Sequence, residues 1–163
     1  MNTSNPYGGT TPIAPRGPVW ITGAGGLIGA CLGRIARHCG APRNLLGLTR
    51  PVVDLTDHRR VADLCRKEGP SLILHCAALT RSPACQANPD LARRVNVDAT
   101  RCLAESAPAA RFVLLSTDLV FDGRKGQYAE SDAVGPLSVY GETKVAAESM
   151  LAGHPNEIGR AHD

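Results

Sequence analysis

Val19-Trp20-Ile21-Thr22-Gly23-Ala24-Gly25-Gly26-Leu27-Ile28-Gly29 is the stretch whose reading decides the fold. A short apolar run bounded by Pro18 and Gly23 reads as a buried strand. Beyond it, Leu27, Ile28, Cys31, Leu32, Ile35 and Cys39 recur at helical spacing, and Gly40 supplies a stop. Between strand and helix, Gly23, Gly26 and Gly29 are spaced GxxGxxG, and Gly25 adds the middle glycine of the commoner GxGxxG. Missing side chains let the backbone turn tightly and let a diphosphate approach the helix N-terminus, where free N–H groups and the helix dipole favour an anion. Three glycines can simply make a turn. Their place between a strand and a helix makes nucleotide binding the expectation.

Working outward, Leu45 to Thr49 reads as a second strand and Val52 to Asp54 as a short third. Asp57 caps a helix whose inner face is Val61, Leu64 and Cys65. Ser71 to His75 is the next strand. Asn88-Pro89-Asp90 starts another helix with a capping side chain, a proline in the first turn and an acid at the positive end of the dipole. Its buried stripe is Leu91, Val95, Ala99, Cys102 and Leu103. Arg111 to Leu115 is a further apolar strand, ending at Ser116-Thr117-Asp118, and a long loop leads to a helix carrying Tyr140, Lys144 and Glu148. Strands without alternation, separated by helices, predict a parallel sheet covered on both faces. The expected fold class is α/β: a doubly wound, Rossmann-type NAD(P)-binding domain over residues 17–153.

The bulk composition sets the limits. Of 163 residues, 43% are hydrophobic and 20% charged, which suits one globular domain with a real core. A net charge of +3, with the basic residues scattered, argues against a nucleic-acid partner. No apolar run approaches the roughly 18 residues of a membrane span. Residues 1–16 are polar and rich in Pro, Gly and Thr, unlike a signal peptide. They are expected to be a disordered leader, and the protein cytoplasmic. Cys31, Cys39, Cys65, Cys76, Cys85 and Cys102 show no CxxC pair or zinc-ligand spacing. Buried reduced thiols are expected, with no metal.

Two further patterns carry chemistry. Tyr140-Gly141-Glu142-Thr143-Lys144 is YxxxK, and residues four apart on a helix share a face with about 5–6 Å between Cβ atoms. Reduction of a carbonyl needs a proton donor as hydride arrives. A free tyrosine titrates near about 10, and a neighbouring ammonium favours its phenolate. Thr117, at a strand end, can donate a second hydrogen bond to the carbonyl oxygen. At the end of the second strand stands Thr49-Arg50, with no acid until Asp54. A cation there accommodates the extra phosphate of NADP, so NADP(H) is favoured over NAD(H).

The combined pattern resembles a known family. Ser116-Thr117-Asp118-Leu119-Val120-Phe121-Asp122-Gly123, followed by Pro136-Leu137-Ser138-Val139-Tyr140-Gly141-Glu142-Thr143-Lys144, is similar to the dTDP-4-dehydrorhamnose reductases, extended short-chain dehydrogenase/reductases acting on sugar nucleotides. The resemblance runs from about Pro18 to Leu151. It implies hydride transfer from nicotinamide to a keto-sugar carbon, with Tyr140 protonating the oxygen, Lys144 holding the ribose hydroxyls and Thr117 orienting the carbonyl. For the cofactor it implies Gly23, Gly26, Leu27, Ile28 and Gly29 at the pyrophosphate and Arg50, Asp54 and Leu55 around the adenosine. Ala77 and Ala78 of His75-Cys76-Ala77-Ala78 would line the cofactor. Asn96 would support the lysine through water. His75 itself reads as a packed strand-end residue. Leu119, where the family typically has Tyr, and the segment Arg81 to Gln86 depart from the pattern.

Such reductases run to nearly twice this length, so the chain is expected to be an N-terminal part without its substrate domain, inactive and aggregation-prone along Phe112 to Leu115. Residues 154–163 are expected to be a non-native or disordered tail. Ile158-Gly159-Arg160-Ala161-His162 is what one reading frame of a common sequencing adapter encodes, which puts the end of the natural frame near Glu157. The expected partner is a nucleotide sugar, and a homodimer stays open for the full-length protein. Two alternatives stand beside reduction. One is a non-catalytic NADP-binding regulatory subunit, since the methionine adenosyltransferase beta subunit resembles the same group. The other is an epimerase or dehydratase, which Asp118-Leu119 disfavours because only one acid follows the strand-end hydroxyl.

Overall fold

The computed structural model describes residues 17–38, 44–152 and 154. The expected leader, Cys39, Gly40 and nearly all of the expected tail lie outside the described residues. Four parallel strands form one sheet: β1 (Val19–Thr22), β2 (Leu45–Leu48), β3 (Leu72–His75) and β4 (Arg111–Leu114), in the order β2-β1-β3-β4. Register is continuous across it, with Trp20 beside Leu46 and Ile73, and Ile73 beside Phe112. This is the α/β, Rossmann-like architecture read from the alternation of strands and helices. Val52–Asp54 is not a strand. The Val52 and Val53 amides turn back onto the Thr49 carbonyl, closing a loop in place of a ladder.

Paired residues of a parallel sheet point to the same side. One face therefore presents Trp20, Thr22, Ile73, His75, Phe112 and Leu114, all buried. It is closed by α2 (His58–Glu68), α5 (Ala99–Ser106) and α6 (Val139–Leu151), whose Val61, Cys65, Leu103, Ala147 and Leu151 complete the core. The other face carries α1 (Leu27–His38) over β1 and β2, while Leu72, Leu74 and Val113 stay half-buried. Coverage of both faces is thus uneven among the described residues, and β2 and β4 are the edge strands of the described sheet.

Two helices differ from their predicted faces, each for a physical reason. In α1 the apolar stripe does not face the sheet: Leu27 is 89% exposed, and Ile28 and Ile35 are half open. The helix lies down on its glycines instead. A Cβ on Gly29 would collide with the Gly23 carbonyl, and one on Gly33 would touch Ile21 at 3.9 Å. The long helix after Asn88 is interrupted as predicted patterns cannot show. Asn88 does cap it, accepting the Leu91 amide at 2.9 Å. But α4 (Pro89–Arg93) passes into a π-helical turn, Arg94–Asp98, before α5. The extra residue rotates the stripe, so Ala92, Asn96, Val97 and Thr100 are buried, and Leu91 and Val95 look into a cleft instead. Asp57 caps α2 as expected, accepting the Arg60 amide at 3.1 Å. A short helix not foreseen, α3 (Ser82–Ala87), precedes α4. No described helix is long and apolar enough to cross a membrane.

Candidate functional site

The glycine turn sits at the C-terminal end of β1, where the strand order switches between β2 and β3. Open parallel sheets have their natural crevice at such a point. Gly23 has φ +64°, and a Cβ there would lie 2.8 Å from the Ala77 backbone nitrogen and Cα, so the ends of β1 and β3 approach as closely as two backbones can. The Gly26 amide closes the turn on the Gly23 carbonyl at 2.8 Å. Gly25 and Gly26 remain exposed. The amides of Leu27, Ile28 and Gly29 begin α1 and cannot be used by the helix itself. The turn is therefore an open cradle of N–H groups at a positive helix end.

In front of it runs a cleft of about 510 Å³. Gly23, Gly25 and Gly26 form its floor, and Thr49, Arg50, Pro51, Val53, Asp54, Leu55 and Thr56 form one wall. Cys76, Ala77, Ala78, Leu79, Leu91 and Val95 form the other. Of the sequence-predicted cofactor residues, Gly23, Gly26, Arg50, Asp54, Leu55, Ala77 and Ala78 line this cleft. Leu27, Ile28 and Gly29 do not line it and form the first turn of α1. Leu91 and Val95 were missed because their spacing matches a core stripe and only the π-turn aims them outward. Asp54 is fixed: its Oδ1 accepts the Thr56 amide at 2.9 Å and the Thr56 hydroxyl at 2.7 Å, and Oδ2 pairs with Arg50 Nε at 3.3 Å. The Thr56 hydrogen bonds, backbone first, hold its carboxyl below the usual carboxylate range, and the Arg50 charge adds to that.

Thr117, Tyr140 and Lys144 stand beyond the cleft, at the ends of β3 and β4, and join it through Cys76 and Leu79. Thr117 caps a 3-10 turn, Asp118–Val120, by accepting the Leu119 amide at 3.3 Å. Tyr140 is buried in the first turn of α6, packed with Leu79, Cys85 and Ala92. Ser138 caps that turn by accepting the Gly141 amide at 3.1 Å. A Cβ at Gly141 would collide with the Leu119 carbonyl, so only glycine after the tyrosine lets α6 meet the 3-10 turn. Lys144 is 2% exposed, and its Nζ donates to the Leu115 carbonyl at 2.6 Å. Burial pulls its ammonium down to about 8, against the opposing pull of Glu148 and Cys76. Burial likewise pushes the Cys76 thiol up.

Asn96 sits behind this group, in the π-turn. Its Oδ1 accepts the Leu79 amide at 2.7 Å, while Nδ2 donates to the Leu79 carbonyl at 3.1 Å and to Thr143 Oγ1 at 2.9 Å. It ties the cleft wall to α6 directly. His75 is a structural residue, as its strand-end place suggested. Thr100 donates its hydroxyl to the Asn96 carbonyl at 2.8 Å, so it accepts from His75 Nε2 at 3.0 Å, and Nδ1 in turn accepts from Thr22 at 2.7 Å. That chain of bonds selects the neutral Nε2–H form. Burial first, and the Lys144 charge second, push the imidazole down to about 3. Among the described residues no cluster of acids, histidines and cysteines is placed to hold a metal, and the five described cysteines are free thiols.

The family model described as the RmlD substrate binding domain matches residues 17–158. The chain belongs to the RmlD substrate-binding domain family. Among relatives of this family, the zebrafish (Danio rerio) methionine adenosyltransferase 2 subunit beta is 32% identical over 160 residues, covering 91% of this chain and 48% of that protein. A dTDP-4-dehydrorhamnose reductase from Streptomyces griseus is 38% identical over 141 residues, covering 84% of this chain and 45% of the reductase. The solved dTDP-4-dehydrorhamnose reductase of Bacillus anthracis, in complex with NADP, superposes with a TM-score of 0.82 at 28% identity, over 90% of this chain and 52% of that one. The chain spans about half the length of the proteins it matches.

Proposed function

We propose that this chain is the nucleotide-binding half of an NADPH-dependent reductase of a 4-keto nucleotide sugar. The observation that carries the reading is the juncture of two features. An open glycine cradle and cleft lie at the β1/β3 switch point, and Thr117, Tyr140 and Lys144 are gathered on adjacent elements at its end. The residues present fit a dinucleotide: the turn has no Cβ over Gly25 and Gly26, and the walls at Leu55, Ala77 and Ala78 are small or apolar. Arg50, with its side chain 82% exposed at the end of β2, supports a 2′-phosphate, which is why NADP(H) is preferred to NAD(H).

When bound, the nicotinamide supplies hydride to the substrate carbonyl carbon. Tyr140 gives its phenolic proton to the oxygen, Thr117 donates a hydrogen bond to the same atom, and Lys144 favours the tyrosinate that results. Asn96 holds α6 against the cleft wall throughout. The sugar-binding contacts and a cytoplasmic location belong to this proposal for the full-length protein, as does its state of association.

The second reading is a non-catalytic nucleotide-binding subunit. It is favoured by the methionine adenosyltransferase beta subunits, whose identity reaches 35% over 159 residues. The experiment is a nucleotide titration of this chain, followed by NADPH oxidation by the full-length protein with a dTDP-4-keto-6-deoxy sugar. Tight NADPH binding with turnover is expected. Binding without turnover selects the subunit reading, and no binding refutes both.

A further inference from the structure

Three consecutive residues at the end of β4 are each gripped from the α6 side or capped. The Leu115 carbonyl takes the Lys144 ammonium, the Ser116 hydroxyl donates to Glu148 Oε1, and Thr117 caps the 3-10 turn that Gly141 abuts. Lys144 and Glu148 are four residues apart, so they share the face of α6 that looks at the sheet, and both are buried, at 2% and 7% exposure. A lysine has three N–H donors and a full charge, and a carbonyl satisfies one donor without cancelling the charge. The other titratable groups facing this ammonium are His75 and Cys76 at the end of β3 and Tyr140 one turn earlier. His75 is locked neutral by Thr22 and Thr100, and the thiol is half-buried. Glu148 is the acid on this face of α6.

We propose that Glu148 is a positioning residue of the active site, compensating the buried Lys144 charge and, through Ser116, fixing the strand end on which Thr117 stands. The carboxylate acts at two points at once. One is electrostatic, along α6 to Lys144. The other is a hydrogen bond across to β4, which sets the distance between the strand-end hydroxyl and the helix that bears Tyr140. Its consequence for turnover rests on the reductase reading, while the charge pairing does not.

The test separates the two points. Lysine labelled with 13C at Cε reports Lys144 directly, because the sequence holds only Lys67, Lys125 and Lys144, and Lys67→Arg and Lys125→Arg assign the third signal. Glu148→Gln keeps an acceptor for Ser116 and removes the charge. Its Lys144 midpoint is expected to fall by about one pH unit or more below the wild type, a tenfold easier deprotonation. Ser116→Ala keeps the charge and removes the bond. It should leave the midpoint near wild type, while in the full-length protein kcat falls several-fold with little change in nucleotide affinity.

An unmoved midpoint in Glu148→Gln overturns the charge pairing, and an unmoved kcat in Ser116→Ala overturns the anchoring. Should Glu148→Gln fail to fold, the wild type serves. The Glu148 carboxyl 13C signal must then shift as Lys144 deprotonates near pH 8, and a flat signal overturns the proposal. Because the titration needs no substrate, an absence of keto-sugar reduction would remove the catalytic reading alone.

Discussion

Replacing His75 by asparagine should flatten the acid side of the stability profile. The imidazole is fully enclosed, neutral, and held between Thr22 and Thr100, with its folded-state pKa pushed from 6.5 to about 3. A base whose folded pKa lies below its unfolded value binds more protons in the unfolded chain between the two. Its contribution is therefore intact above about pH 6.5 and drains away as pH falls toward 3. At pH 5 the unfolded imidazole is almost wholly protonated and the folded one is not. The loss relative to pH 7.5 is then about 2 kcal/mol, at about 1.4 kcal/mol for each pH unit below the unfolded pKa. His75→Asn keeps a polar side chain and has nothing to titrate there. Urea unfolding of both proteins at pH 7.5 and pH 5.0 measures the difference of differences, so the other histidines and the acids cancel. The variant is less stable at pH 7.5, and its further loss on acidification should be smaller than the wild type's by about 2 kcal/mol. Parallel losses in the two proteins would refute the reasoning, because the imidazole would then be solvated or already charged in the fold.

Other outcomes follow from the same geometry. Asn96→Ala leaves the Leu79 amide without its acceptor and the Leu79 carbonyl with the Cys85 thiol, and should cost about 1–3 kcal/mol in denaturant unfolding. Gly23→Ala forces a Cβ into positive φ and against Ala77. We expect a loss of about 2–4 kcal/mol and no measurable NADPH binding by calorimetry. Arg50→Ala should lower NADP+ affinity about tenfold while leaving NAD+ affinity nearly unchanged. Equal losses for both nucleotides would place the 2′-phosphate elsewhere.

Much of the site could be read from the chain because its signals are local. A glycine with positive φ, a capping Asp57 or Asn88, and a tyrosine four residues before a lysine are each set by neighbours within one turn. Apolar spacing alone does not set a helix's buried face where small residues intervene. In α1 the apolar spacing was real, but Gly29 and Gly33 offer the flatter surface and the sheet takes it. Arg50 and Asp54 were each legible as cleft residues, yet their ion pair depends on the loop that replaced the expected short strand.

By itself, the sequence determined the parallel α/β class, the glycine turn and the places of Thr117 at a strand end and of Tyr140 and Lys144 one turn apart on a helix, since each follows from periodicity or from contacts between near neighbours. Only the tertiary structure decided the π-turn, the neutral tautomer of His75 and the hydrogen-bond partners of Asn96 and Glu148. Those partners lie 17, 32 and 47 residues away along the chain. No local preference encodes them, because a buried polar group takes whichever partner the packed sheet and helices bring within reach.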